Sequence, residues 1–247
     1  MTGHDYLILG GFSVEAIFWL GAYALIIRHA FREKIHGMPV VAMCGNIAWE
    51  FILGLGLFPA CPVYWADCPD AVMGPVTLFA ALLDAFILYT IIRFGRDQFR
   101  HVRFLHRYFP FLVLLGVASA FVVIYGIMHD MYTLNLYGAE IDGQIPVFLQ
   151  AGLQGGLYTG WGLALLMGLL FIALLISRGD VRGQSFYIAL FMLLGNVGAF
   201  LFDIFAARQA PAILYTLVVL SLTVNLIYVV LVYRRTREVG LAPLRHW

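Results

Sequence analysis

Apolar residues in this chain are gathered into long runs, and the runs set the reading of everything else. Seven of them lie near residues 6–28, 38–58, 72–94, 109–129, 146–177, 185–206 and 211–233. A helix rises about 1.5 Å per residue, so roughly 20 apolar residues cross a hydrocarbon core of about 30 Å. Each run is long enough to do so. Short segments with turn residues separate them, such as Pro59 and Pro62 after the second and Gly179 and Gly183 after the fifth. The pattern predicts an all-α membrane protein, one seven-helix transmembrane domain over residues 1–247 with no room for a soluble domain.

Composition agrees. Soluble domains are about a quarter charged, whereas this chain is 12% charged and 62% hydrophobic, with a mean hydropathy of +0.90. The basic residues then orient the bundle. Arg28, Arg32 and Lys34 follow span one, Arg93, Arg96, Arg100, Arg103 and Arg107 follow span three, Arg178 and Arg182 follow span five, and Arg234, Arg235, Arg237 and Arg245 end the chain. Only Arg208 falls at the opposite end. Lys and Arg are retained on the cytoplasmic side, so the expected topology has the N-terminus outside and the C-terminus in the cytoplasm. The first run lacks a basic leader and a following cleavage site, so no signal peptide is expected. The basic loop after span three reads as a topogenic segment touching anionic lipid rather than a phosphate or nucleic-acid site.

Polar residues at membrane depth carry the candidate chemistry, because an ionisable group there is costly unless it meets a partner or a cavity. Glu15, Glu50, Asp84 and Asp203 lie in spans one, two, three and six. Counted from the outer ends, Glu15 and Glu50 are roughly 12 to 14 Å deep, with Asp203 shallower and Asp84 nearer the middle. All four can open onto one cavity in the outer half. The competing interpretation for any one of them is an interhelical hydrogen bond that locks packing.

Asn46 precedes Glu50 by four residues and Asn196 precedes Asp203 by seven, within GNIAWEF and GNVGAFLFD. The shared Gly-Asn hints at a parallel repeat of spans one to three and five to seven about span four. Trp49, Tyr158 and Trp161 place aromatic side chains in spans two and five, beside Gln150 and Gln154. Gly152, Gly156 and Gly160 are spaced for close helix packing. Cys61 and Cys68 share an outer loop, where a disulfide is one reading. Prolines at 39, 75, 110, 146 and 211 fall near span ends.

Several activities are excluded. The only lysine, Lys34, lies in a loop, so no retinal Schiff base forms inside the membrane. There is no DDxxD cluster to hold magnesium and a diphosphate, and no nucleotide loop, zinc motif or nucleophile elbow. No cofactor, metal, nucleic acid or protein partner is expected. What remains is a carboxylic acid in an apolar, aromatic pocket, where desolvation keeps such a group protonated as a Brønsted acid. It can protonate an alkene or an epoxide while aromatic faces stabilise the cation that develops.

The seven spans, the Asn-x-x-Trp-Glu of span two and the Asn with a downstream Asp of span six resemble the integral membrane terpene cyclases of meroterpenoid and indole terpenoid biosynthesis. That family includes the pyripyropene and paxilline pathway cyclases of fungi and the drimentine cyclases of bacteria. The resemblance implies cyclisation of a hydrophobic prenylated aromatic or indole substrate, with one essential acid on span two and one on span six. These match Glu50 and Asp203; Glu15 and Asp84 rest on the depth argument alone. The expected mechanism has Glu50 and Asp203 hydrogen-bonded and sharing a proton, oriented by Asn46 and Asn196. The host membrane is a bacterial plasma membrane or the endoplasmic reticulum. The rival is a small transporter of the three-plus-one-plus-three kind, which the shared length and the Gly-Asn repeat favour. The absence of mid-span prolines weighs against it.

Overall fold

The computed structural model describes residues 3–56, 73–133, 147–206 and 212–245. They form seven α-helices: α1 (Gly3–Glu33), α2 (Val40–Gly54), α3 (Met73–Thr90), α4 (Arg103–Thr133), α5 (Val147–Arg178), α6 (Phe186–Ala206) and α7 (Ala212–Glu238). Six are long and apolar enough to cross a membrane. The described part of α2 is shorter, at 15 residues. Pro39 precedes it in an extended conformation, and Gly56 closes it in the left-handed region at φ 59°, a conformation that glycine adopts without penalty.

Burial divides the helices into two kinds. Most of α2 is buried, from Ala42 to Ala48 and again at Glu50, Ile52 and Gly54, as expected of a helix that is apolar on every side. The longer helices instead turn apolar side chains outward, among them Ile17, Val122, Ile176 and Val219. In hydrocarbon that exposure carries no solvation penalty, and the intrahelical hydrogen bonds satisfy the backbone.

Around the bundle α1 packs on α6 and α3, α2 on α3, α4 and α5, and α7 on α5 and α6, with α4 also against α5. The helices thus close a circuit in the order α1, α3, α2, α4, α5, α7, α6. The first two helices of each trio lie against the third, while α1–α6 and α2–α5 contacts cross between the trios. The α1–α6 seam is the tightest, because glycines let the backbones approach. A Cβ on Gly11 would stand 2.5 Å from Phe202 N, and one on Gly198 would strike the backbone nitrogen of Glu15. Two candidate acids, Glu15 and Asp203, are thereby held on one seam.

The end carrying the C-terminus is closed by a polar clamp. Gly183 N donates to Glu33 Oε2 at 2.6 Å, and Arg178 Nη2 lies 3.2 Å from both ring nitrogens of His36. His36 also contacts Met38 O at 3.0 Å and Gln98 Oε1 at 3.1 Å. Arg235 donates to the Gly179 carbonyl. Burial, with the Arg178 charge against it, holds the His36 imidazole down at about 4.

Pro110, near the start of the fourth apolar run in the sequence, lies inside a longer helix. Helix α4 begins at Arg103 and carries the proline inside it, because the polar residues ahead of the apolar run continue the helical turn. Pro75, in contrast, sits in the first turn of α3, where the missing N–H has no helical partner to lose. After Thr90 the chain continues through a π-helical turn, Ile91–Gly95, and a 3-10 turn, Arg96–Phe99.

Candidate active site

Three helices converge on Glu50. Tyr23 from α1 donates its hydroxyl to Glu50 Oε1 at 2.7 Å. Asn46, one turn before Glu50 on α2, directs its Nδ2 to Tyr23 Oη at 2.7 Å, to Asp84 Oδ2 on α3 at 2.6 Å and to Glu50 Oε1 at 3.2 Å. All four side chains are buried, Asp84 completely. Glu50 Oε2 and Asp84 Oδ1 have no hydrogen-bond partner, and the two carboxyls lie close enough to act on each other. Two neighbouring buried carboxyls are costly to ionise together, which favours keeping a proton on the pair.

A second carboxyl centre forms where α5 meets α6. Trp161 Nε1 donates to Asp203 Oδ2 at 2.5 Å, and both residues are buried. The Trp161 carbonyl accepts from Ser221 Oγ at 3.2 Å, and Asn225 Nδ2 donates to the Ser221 carbonyl at 2.8 Å, which anchors this centre to α7. Glu15, half-buried on α1, lies within electrostatic reach of Asp203. The two centres obey one rule: an aromatic donor on the first helix of a trio, Tyr23 or Trp161, bonds the carboxyl on the second.

Aromatic walls complete the region. Trp49 donates Nε1 to Thr159 Oγ1 at 3.0 Å and lays its ring against Gly160. Trp19 packs on Tyr23 with ring centroids 5.6 Å apart, over Gly195. Tyr158 joins the cluster around Trp161, Leu214 and Val218.

The geometry revises the expected pairing. Glu50 and Asp203 do not share a hydrogen bond; each has its own partners. The reason is helix order: α2 packs on α3, α4 and α5, whereas α6 packs on α1 and α7. Asn46 lies 3.2 Å from the acid on its own helix. Asn196 is buried, but its Nδ2 has no hydrogen-bond partner, and it does not bond Asp203. Asp84, singled out in the sequence by depth alone, joins Glu50 through Asn46. Sequence reasoning misses Tyr23, since a lone tyrosine in an apolar run gives only a weak signal; its position about two helical turns beyond Glu15 is the available clue. Cys61 and Cys68 lie outside the described residues, as do the side chains of Gln150 and Gln154.

Comparison with known proteins bears on what this arrangement does. Residues 5–238 match the family model of the Pyr4-like transmembrane terpene cyclases. The chain is 29% identical over 182 residues to the Pyr4-family terpene cyclase mfmH of Annulohypoxylon moriforme, a match covering 73% of this chain and 63% of the relative. It is 27% identical to the terpene cyclase andB of Emericella variicolor, over 69% of this chain and 73% of the relative. Identity to the terpene cyclase pyr4 of Aspergillus fumigatus is 24%, over 74% of this chain and 64% of the relative. The chain thus spans somewhat under two thirds of the length of mfmH and pyr4. No solved structure matches it. These relatives do not favour the transporter reading. An all-helical bundle with buried carboxyl centres, matched along nearly its whole length, places this chain in the family of Pyr4-like transmembrane terpene cyclases.

Proposed function

We propose that this protein is a multi-pass membrane cyclase that protonates the terminal olefin or epoxide of a prenylated, farnesyl-type aromatic or indole substrate. The buried Glu50–Asp84 pair is the observation that supports it best. It is a proton store within an apolar bundle, where a charge forming on the substrate meets little competing water. Glu50 gives its proton to the terminal alkene carbon or the epoxide oxygen. The resulting cation is attacked by successive double bonds, each forming a carbon–carbon bond and moving the charge along the chain. Loss of a proton from carbon ends the sequence, so the product is an isomer of the substrate and no metal is required.

Asp203, bonded by Trp161 and neighboured by Glu15, serves as the second essential acid centre from the α5–α6 side. Asn46 orients Glu50, and Asn196 lines the α6 wall. Trp49, Tyr158 and Trp161 offer aromatic faces to the developing cation. The basic residues put the C-terminal end in the cytoplasm, within a bacterial plasma membrane or the endoplasmic reticulum.

Membranes containing the protein, incubated with farnesylated indole and epoxyfarnesyl phenolic substrates, should yield isomers of unchanged mass by mass spectrometry. Glu50→Gln and Asp203→Asn should each abolish them. Full product formation by either variant would remove that residue from the chemistry.

A further inference from the structure

We infer that Tyr23 is the positioning residue that sets the acid strength of Glu50, an inference that rests on Glu50 being the proton donor. The hydrogen-bond inventory of the cluster leads there. An asparagine amide has two N–H groups. The two short contacts from Asn46 Nδ2 go to Asp84 Oδ2 at 2.6 Å and Tyr23 Oη at 2.7 Å, and Glu50 Oε1 is more distant at 3.2 Å. With the amide hydrogens committed, the donor left for Glu50 Oε1 is Tyr23, at 2.7 Å. Because Tyr23 Oη accepts from Asn46, its own hydrogen is directed at Glu50.

This directionality assigns the proton to one oxygen. Glu50 Oε1 faces the Tyr23 hydroxyl and so acts as an acceptor. The acid proton sits on Oε2, the oxygen with no amide, hydroxyl or main-chain partner, and leaves from there. Once it has gone, the negative charge is received at Oε1 by the hydroxyl already aimed at it. A hydrogen bond to an anion is stronger than one to a neutral acid, so Tyr23 stabilises the state after transfer more than the state before it. Such differential stabilisation raises kcat without tightening substrate binding.

The titratable groups acting on Glu50 are Asp84 from α3 and Tyr23 from α1, while α2 itself contributes the uncharged Asn46. Among the described residues, α4 and α5 direct no charged group at it. The Tyr23 ring is buried at 2% exposure against Trp19, so Tyr23→Phe keeps the packing and deletes the hydroxyl alone.

Infrared difference spectroscopy of the purified full chain in lipid nanodiscs tests this without needing a substrate. The carbonyl stretch of a protonated carboxyl that disappears in Glu50→Gln belongs to Glu50. In Tyr23→Phe that band should move to higher frequency, because its carbonyl oxygen has lost a donor. Biosynthetic incorporation of fluorotyrosine, which keeps ring and hydroxyl but makes a stronger donor, should move it the other way and covers the case of a misfolded phenylalanine variant. With a substrate the wild type cyclises, Tyr23→Phe should lose about tenfold to a hundredfold in kcat with KM unchanged. A Glu50 band that stays put in the tyrosine-altered proteins overturns the role of Tyr23 and leaves Glu50 as the acid. If Glu50→Gln deletes no band, both readings fail together.

Discussion

Asn46 Nδ2 on α2 stands 2.6 Å from Asp84 Oδ2 on α3, and this contact ties two isolated acids into one polar cluster. The asparagine anchors Asp84 on one side and the Tyr23 hydroxyl on the other, so Glu50 is approached from α1 and α3 at once. The members of a buried polar network depend on one another. Removing any member should therefore be felt by the rest.

Asp84→Asn is the first test. It can still accept from Asn46, yet it removes the second carboxyl beside Glu50. Turnover should fall about tenfold or more, as for loss of a general-acid contribution, while the thermal midpoint stays within a few degrees. Unchanged turnover would make Asp84 a packing residue.

Trp161→Phe removes the N–H that Asp203 accepts and keeps an aromatic ring in place. The variant should lose product to an extent approaching that of Asp203→Asn. The double variant should be no worse than Asp203→Asn alone, since residues in one hydrogen-bonded unit are non-additive. Strict additivity in product yields would separate the two residues.

Gly198→Ala drives a methyl group into the backbone of Glu15 on α1, where no side chain can give way. Overpacking of this sort costs typically about 1–3 kcal/mol, and it should lower the melting temperature in detergent and weaken activity by shifting the seam that holds Asp203. Gly126→Ala, with nothing within 4 Å of the added methyl, is the matched control and should not lower the melting temperature.

At the opposite end, His36 predicts a pH dependence of stability. Its imidazole titrates at about 4 in the fold and near 6.5 when unfolded. Between those values the unfolded chain binds the extra proton, so stability is complete above about pH 6.5 and falls as the pH drops toward about 4. The full window is worth on the order of 3 kcal/mol. Melts in detergent from about pH 7.5 to about pH 4.5 should show this decline, and His36→Asn should flatten it.

Much of the molecule is legible in the order of its residues. Run length alone gives seven helices, because a hydrocarbon layer admits only segments that satisfy their own backbone and are long enough to cross. The same physics marks Glu15, Glu50, Asp84 and Asp203, since each is costly where it lies. Asn46 is legible as the partner of Glu50 because one helical turn separates them.

Tertiary structure decided which acids meet. Counting residues gives the depth of a side chain and the face of its own helix, but not which neighbour lies against that face. Depth puts both Glu50 and Asp203 in the outer half of the bundle, and helix order then separates them, giving Glu50 to Tyr23 and Asp84 and giving Asp203 to Trp161. Tyr23 shows the same limit: its hydroxyl acquires meaning only from the carboxyl that packing brings to within 2.7 Å. The sequence by itself thus determined that carboxyl groups are buried in a membrane bundle, and at what depth. Only the packing of α1, α2 and α3 decided that Glu50 and Asp84 meet in one cluster with Tyr23 and Asn46, because contact between helices depends on the angular order of the bundle rather than on any one helix's periodicity.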